Sequence, residues 1–348
     1  MKTTRDKFGT FNGETIYKYS LENDNGMKLS CLNLGCIVTD ILVPDREGKF
    51  ENVVLSFNNV DDYIRYQTYF GAIIGRVAGR IKNSEFELNK KKYLLSANEG
   101  KHHLHGGTDG FHEKIWNAST FQTDQEVGVE FTYTSKDGEG GYPGNVHIQV
   151  TYTLTNDNRW KVRINGTTDE TTLLNMTNHT YFNLSGNGKT DILNHQLTMK
   201  SDRFLELDED LLPTGKIMDV EGTVFDFRHG RKIRDGILSP HPQNTIVGNG
   251  YDHPFILSEK KEAIILKEGT NGRKLVIETN QPSVILYSGN SLKEDYAIKE
   301  GVPVRKYLGL CLETQGFPDA IHHPHFPSII LEPNQRYMAE TTYTFGVE

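Results

Sequence analysis

The sequence predicts an all-β fold, a large antiparallel β-sandwich, on three observations. The first is composition: 17 Phe and 16 Tyr beside 2 Trp in 348 residues, with many Val, Ile and Thr, favour pleated, half-buried surfaces. The second is a series of period-two segments in the middle of the chain. The third is that strand candidates follow one another with almost no helical pattern between them, which argues against parallel βαβ units.

In chain order, strands are expected at 16–21, 28–32, 37–43, 52–56, 85–88, 92–95, 197–200, 263–266, 274–278 and 284–287, each with Gly, Asn, Asp or Pro between it and the next. A short helix is expected at 60–66, where Asp61 and Asp62 suit the positive end of a helix dipole, and a second at 292–299. The clearest pattern is a three-strand meander: Val127, Val129, Phe131 and Tyr133; then Val146, Ile148, Val150, Tyr152 and Leu154; then Trp160, Val162 and Ile164. Asn156, Asp157 and Asn158 supply a tight turn, whereas 137–145, with four glycines and Pro143, is a longer loop free to carry function. No linker, repeat or break in composition divides the chain, so residues 1–348 are expected to form one domain with a sizeable core.

The formal charge of -8 leaves no basic surplus to neutralise phosphates, and nucleic acid is excluded as a partner. The polar N-terminus and the lack of an apolar run of membrane-spanning length point to a cytoplasmic protein. Cys31, Cys36 and Cys311 are odd in number and lack metal-knuckle spacing, so they are expected as small core residues.

Two segments place ionisable groups inside strand-like sequence. Around Asn178-His179-Thr180-Tyr181-Phe182-Asn183, period two puts Thr180, Phe182 and Leu184 on one face and His179, Tyr181 and Asn183 on the other. Near the C-terminus, Leu308, Leu310 and Leu312 alternate with polar positions that include Glu313 and Gln315. A strand histidine is ordinarily a hydrogen-bonded structural residue, and a carboxylate in such a setting is either an edge residue or an acid held for a purpose. Arg76 and Arg80 stand four apart in a glycine-rich frame; arginine forks bind carboxylates, phosphates or hydroxyls, and their ordinary reading is surface salt bridging. His102, His103 and His105 precede Gly106 and Gly107, which suits a ligand loop or a plain turn. Asp252 fits a turn cap or a sugar hydroxyl acceptor beside Tyr251 and Phe255. His322, His323 and His325 lack the geometry of a metal set and are expected to pack a loop.

Together, 75–81, Leu104-His105-Gly106-Gly107, Asn178 to Gly186, Leu212-Pro213-Thr214-Gly215, Tyr251-Asp252-His253 and Leu312-Glu313-Thr314-Gln315 resemble, in order, the motifs of the aldose 1-epimerase family. The resemblance implies a galactose mutarotase-like supersandwich with a sugar cleft on one sheet. It implies His179 as general acid, Glu313 as general base, and Arg80, Ile81, His105, Tyr181, Asp252 and Gln281 as substrate-binding residues. One departure is Gly79, where the family often has Asn before the second arginine. The implied reaction interconverts the α and β anomers of free aldohexoses such as D-galactose and D-glucose, with no metal or other cofactor and in a monomer or homodimer. Glu313 is expected ionised and His179 protonated in the productive complex. A phosphorylated hexose as substrate, or carbohydrate binding without catalysis, are the alternatives.

Overall fold

In the computed structural model, which describes residues 1–348, the alternating segments pair antiparallel into three large sheets. The nine-stranded sheet grows around the expected meander, Glu126–Ser135, Val146–Thr155 and Arg159–Thr168. Asn117–Gln122 flanks it on one side; Tyr337–Val347, Arg273–Thr279, Ile264–Lys267, Gln196–Met199 and Arg231–Lys232 extend it on the other. Its inward residues, among them Val129, Phe131, Val150, Trp160 and Tyr343, belong to a core of 52 buried residues. Trp160 stacks on Tyr343 with ring centroids 4.5 Å apart.

The six-stranded sheet has the order Tyr181–Phe182, Leu310–Gln315, Ser283–Tyr287, Asp252–Ile256, Arg203–Leu207 and Pro213–Asp219. One face, with Phe182, Leu310, Leu312, Val284, Leu286 and Phe255, packs into the same core. Phe182 meets Tyr343 of the nine-stranded sheet at 5.6 Å, and the hydroxyls of Thr314 and Thr341 bond at 2.6 Å. Because side chains alternate across a strand, the other face carries Tyr181, Cys311, Glu313, Tyr287 and Asp252. A five-stranded sheet, Lys2–Phe11, Glu14–Glu22, Lys28–Leu32, Val38–Pro44 and Phe50–Asn52, covers a further part of the core with Tyr19, Leu21, Leu29 and Val43.

Several expectations change in detail. The strand expected at 52–56 instead ends at Asn52, whose side-chain oxygen accepts from the N–H groups of Ile41 (2.9 Å) and Val54 (3.3 Å) and so turns the chain out of the ladder. The helix at 60–66 is present as Val60–Tyr66, with the Asn59 side chain accepting from Asp62 N at 2.9 Å. No helix forms at 292–299, because Leu292 and Ile298 are both buried in one aromatic cluster at a spacing no single helical face provides. The glycine-rich loop at 137–145 carries no cleft residue; it folds onto Arg76, which donates to Pro143 O at 2.7 Å. Two unexpected strands bracket the chain. Lys2–Phe11 is a mostly exposed edge strand without apolar alternation, and in Tyr337–Val347 the buried row includes a threonine, Thr341. No helix is long and apolar enough to cross a membrane.

Three buried histidines tie this scaffold together in neutral form. His103 bonds Ser96 O and the Tyr142 hydroxyl, His195 accepts from Leu184 N, and His253 lies against Gln243. Burial lowers His103 and His195 to about 4 and His253 to about 3, whereas the unfolded chain protonates its histidines near 6.5. Between those values the unfolded state binds more protons, so the stability these rings give is full above pH 6.5 and drains away as pH falls toward 4. The melting temperature should therefore drop steadily from pH 7 to pH 4.5 in calorimetry; a flat profile would mean the rings are charged when folded.

Candidate active site

A cavity of 790 Å³ opens on the outer face of the six-stranded sheet. Strand register sets its floor. Tyr181 and Tyr287 both pair with Cys311, and Asp252 pairs with Tyr287, which makes one transverse row; Glu313 opposite Ile285, and Ile285 opposite Pro254, make the next. Glu313 is 3 % exposed, and its carboxyl is held well above the usual range by burial first and by Asp252 second, against the pull of Arg80.

His179 lies between two short strand pieces, Thr177–Asn178 and Tyr181–Phe182, and not within a continuous strand. Its amide donates to Ala72 O at 2.8 Å and its carbonyl accepts from Gly71 N at 3.1 Å, so the neighbouring 69–72 turn fixes its position. The ring Nε2 is 3.5 Å from Glu313 Oε1, and Nδ1 is 3.5 Å from the Cys311 sulfur. Burial lowers His179 to about 4. Burial thus favours a neutral imidazole beside a protonated carboxyl, whereas the charged pair expected from sequence belongs to the productive complex. The count is unaffected, since one proton belongs to the pair in either arrangement.

His105, in left-handed backbone conformation (φ 55), accepts from Gly79 N at its Nδ1 (3.1 Å). That bond leaves Nε2 to carry the proton and act as donor. Burial, then His179 and Arg80, keep this ring neutral, well below its ordinary pKa. Ligand atoms of His105, His179 and Glu313 all lie within 4.8 Å of one another, a span suited to the two oxygens of one hemiacetal. Arg80 is gripped by Glu99 at 2.5 and 2.8 Å and lies 4.0 Å from Asp252. Burial opposes its charge, but Asp252 and Glu99 outweigh that and raise it. Asp252 is raised mainly by burial, with Arg80 acting against and Glu99 with it.

The structure brings His179, Glu313, Arg80, His105, Tyr181 and Asp252 together in this cleft, and it leaves two expected binding residues outside. Ile81 is fully buried behind Arg80, in a cluster with Val77 and Phe86, and pairs with His103; it anchors the arginine's strand without facing the cavity. Gln281 sits in the turn joining two sheets and donates to its neighbour Asn280 at 2.7 Å, because the bend points its side chain back onto its own turn. The cleft's buried amide is Gln315, on the face of Glu313; its Nε2 holds Gly316 O, and its Oε1 has no partner. Arg76, expected in a surface salt bridge, is 2 % exposed and away from the cleft. The histidines at 322–325 behave as expected: their rings bond Asp319, Pro213 O and Gly215 O.

Glu99 and Tyr69 line the cleft without a signal in sequence. Glu99 arrives on a loop. Tyr69, at φ 60, places its ring 4.9 Å from His105, 4.8 Å from His112 and 5.7 Å from His179, and burial pushes its hydroxyl up to about 12. Gly79 also occupies the left-handed region (φ 79), where a side chain would start 2.9 Å from Pro318 Cβ. Asn visits that region with little strain and valine does not, so Gly79→Val should cost about 1–3 kcal/mol in urea unfolding and Gly79→Asn clearly less. Equal costs would remove backbone conformation as the cause.

The Aldose 1-epimerase family model matches residues 17–344. Galactose mutarotase of Bos taurus is 39% identical over 352 residues, covering 100% of this chain and 99% of that one. Aldose 1-epimerase of Haemophilus influenzae is 37% identical over 353 residues, covering 97% and 98%. The crystal structure of galactose 1-epimerase from Lactobacillus acidophilus NCFM superposes with a TM-score of 0.90 at 30% identity, covering 99% of both chains.

Proposed function

The chain belongs to the aldose 1-epimerase family, and from that premise we propose that its cleft interconverts the α and β anomers of a free hexose with Glu313 as base and His179 as acid. The observation that carries the assignment is the buried pair itself: an imidazole Nε2 and a carboxyl oxygen 3.5 Å apart, with His105 beside them. Glu313 takes the proton of the C1 hydroxyl while the C1–O5 bond breaks and O5 receives the Nε2 proton of His179. The products are the open-chain aldehyde, a protonated Glu313 and a neutral His179. Rotation about C1–C2 presents the other carbonyl face, the reverse transfers close the ring, and no cofactor is consumed.

The pKa shifts support this direction of transfer. Burial raises Glu313 and lowers His179, so the charged pair that meets the closed ring is the less favoured arrangement. Opening the ring discharges it into the neutral arrangement that the desolvated site prefers. Arg80 and the Nε2–H of His105 are donors for the sugar oxygens, and Asp252 is an acceptor for hydroxyls farther round the ring. The free Oε1 of Gln315 is a second acceptor, since a buried unpaired oxygen gains most from a hydroxyl partner. Gln315→Leu should raise KM for hexose about tenfold with a smaller change in kcat; an unchanged KM would exclude Gln315 from contact.

The test follows optical rotation of freshly dissolved α-D-glucose or α-D-galactose. Relaxation by the protein faster than the buffer rate is expected, and none above buffer would defeat the assignment. Three free buried cysteines fit a reducing, cytoplasmic setting.

A further inference from the structure

We propose that Glu99 is a positioning residue for Arg80: it holds the guanidinium off Asp252, so that both keep groups free for a sugar. The inference rests on the mutarotase reading above and adds a residue to which that reading gives no role. The grip comes first. Glu99 Oε2 accepts from Arg80 Nε at 2.5 Å and Oε1 accepts from Nη2 at 2.8 Å, which fixes the plane of the guanidinium as well as its place. Nη1 lies opposite that edge and stands 4.0 Å from Asp252 Oδ2, too far for a hydrogen bond. Without Glu99 this gap should close, because a guanidinium and a carboxylate in a desolvated site gain by approaching to about 2.8 Å. A closed pair would satisfy itself and leave fewer donors and acceptors for a ring carrying hydroxyls. Glu99 competes for the arginine from the far edge and keeps Nη1 and Asp252 apart.

The loop that carries Glu99 is tied so as to aim it. Leu104 pairs with Arg80 in a short antiparallel ladder, so the chain returns beside the arginine. Asn98 closes the loop on both sides of Leu104: its Oδ1 accepts from Leu104 N at 2.8 Å and its Nδ2 donates to Leu104 O at 3.0 Å. Within it, Glu99 and His102 exchange backbone hydrogen bonds of 3.1 and 2.9 Å around Gly100, whose φ of 60 allows the tight turn. Outside it, Asp210 lies 2.9 Å from Lys101 Nζ and 3.2 Å from His102 Nε2, which pins the turn to the hairpin across the cleft. The ordinary reading of a partly exposed ion pair is a mobile contact that contributes little. Here the carboxylate is bidentate and its backbone is held from both sides, which is the geometry of a fixed clamp. The same loop ends in His105, so one turn sets two of the groups that meet the sugar.

Steady-state kinetics on freshly dissolved α-D-galactose or α-D-glucose, followed by polarimetry, test the proposal. Glu99→Ala should raise KM about tenfold and leave kcat within about threefold. Glu99→Gln, which keeps the shape and one acceptor oxygen, should fall between it and wild type. The urea midpoint should stay at the wild-type value in both, since the backbone ties of the loop remain. The decisive arm is the double variant Arg80→Leu/Glu99→Ala. Its KM should match that of Arg80→Leu within about twofold, because Glu99 acts through the arginine alone. A tenfold rise that repeats in the Arg80→Leu background would overturn the proposal and make Glu99 a direct sugar contact. A wild-type KM in Glu99→Ala would overturn it too, leaving an ordinary surface ion pair. So would a loss of kcat and of stability at unchanged KM, which belongs to a loop that merely helps the fold. No acceleration by wild type would remove the mutarotase assignment itself, which none of the variant outcomes touches.

Discussion

Glu313→Gln is expected to lower kcat for hexose mutarotation by about 10²–10⁴-fold with little change in KM. The amide has nearly the shape and, in this site, nearly the charge of the protonated carboxyl that burial favours, so the fold is not at risk. What it loses is the ability to take a proton from the C1 hydroxyl. His179→Asn should fall by a similar factor, since it removes the Nε2 proton destined for O5. The double variant should be hardly slower than either single one, because two groups sharing one proton act as a unit. Rates of Glu313→Gln within a few-fold of wild type, measured by polarimetry at saturating sugar, would exclude Glu313 as the base. Losses that multiply in the double variant would argue that the two residues act in separate steps.

Arg76→Leu is expected to cost about 3–5 kcal/mol of stability, the scale for stripping one partner from a buried charged network. The guanidinium donates to Ser135 Oγ (2.9 Å), Ser135 O (3.2 Å), Lys136 O (2.7 Å), Pro143 O (2.7 Å) and Thr172 Oγ1 (3.3 Å). Leucine leaves three carbonyls in a dry site, each at about 1–3 kcal/mol if unsatisfied. Burial lowers Arg76 only to about 10, so the charge is present at neutral pH. The urea midpoint should fall while hexose KM, measured at low temperature on folded protein, stays near wild type. Arg80→Leu should do the reverse, raising KM with a smaller stability loss. An Arg76→Leu midpoint equal to wild type would show that water replaces the guanidinium.

The two arginines also mark where sequence stops being informative. They stand four apart in the same glycine-rich frame, yet Arg76 is a buried staple and Arg80 a cleft residue, because only the fold decides which one meets the loop at 136–143. The meander was legible because its strands alternate cleanly against solvent, and so were Glu313 and Gln315, polar residues on one face of an otherwise apolar strand. His179 was legible as a polar interruption, although its backbone leaves the strand at that point. Arg80, His105 and Asp252 stood out only through the ordered resemblance, since each has an ordinary local reading. Gln281 was misplaced because a turn reverses its side chain. Tyr69 and Glu99 could not be read at all: one depends on a left-handed backbone angle and the other on a loop returning from outside the sheets.

The two-sided strands of the six-stranded sheet constrain how this protein can change. In Leu310–Gln315, neighbours Leu312 and Glu313 serve the core and the cleft respectively, so one inserted or deleted residue exchanges the two roles along the whole strand. Variation in length is therefore closed to the segments that do the chemistry. It remains open at the cleft mouth, where exposed Gln67 and the loop carrying Lys293 and Asp295 hang free of any ladder. New sugar preferences in such a scaffold should be sought by diversifying those mouth segments, with the strand residues held constant.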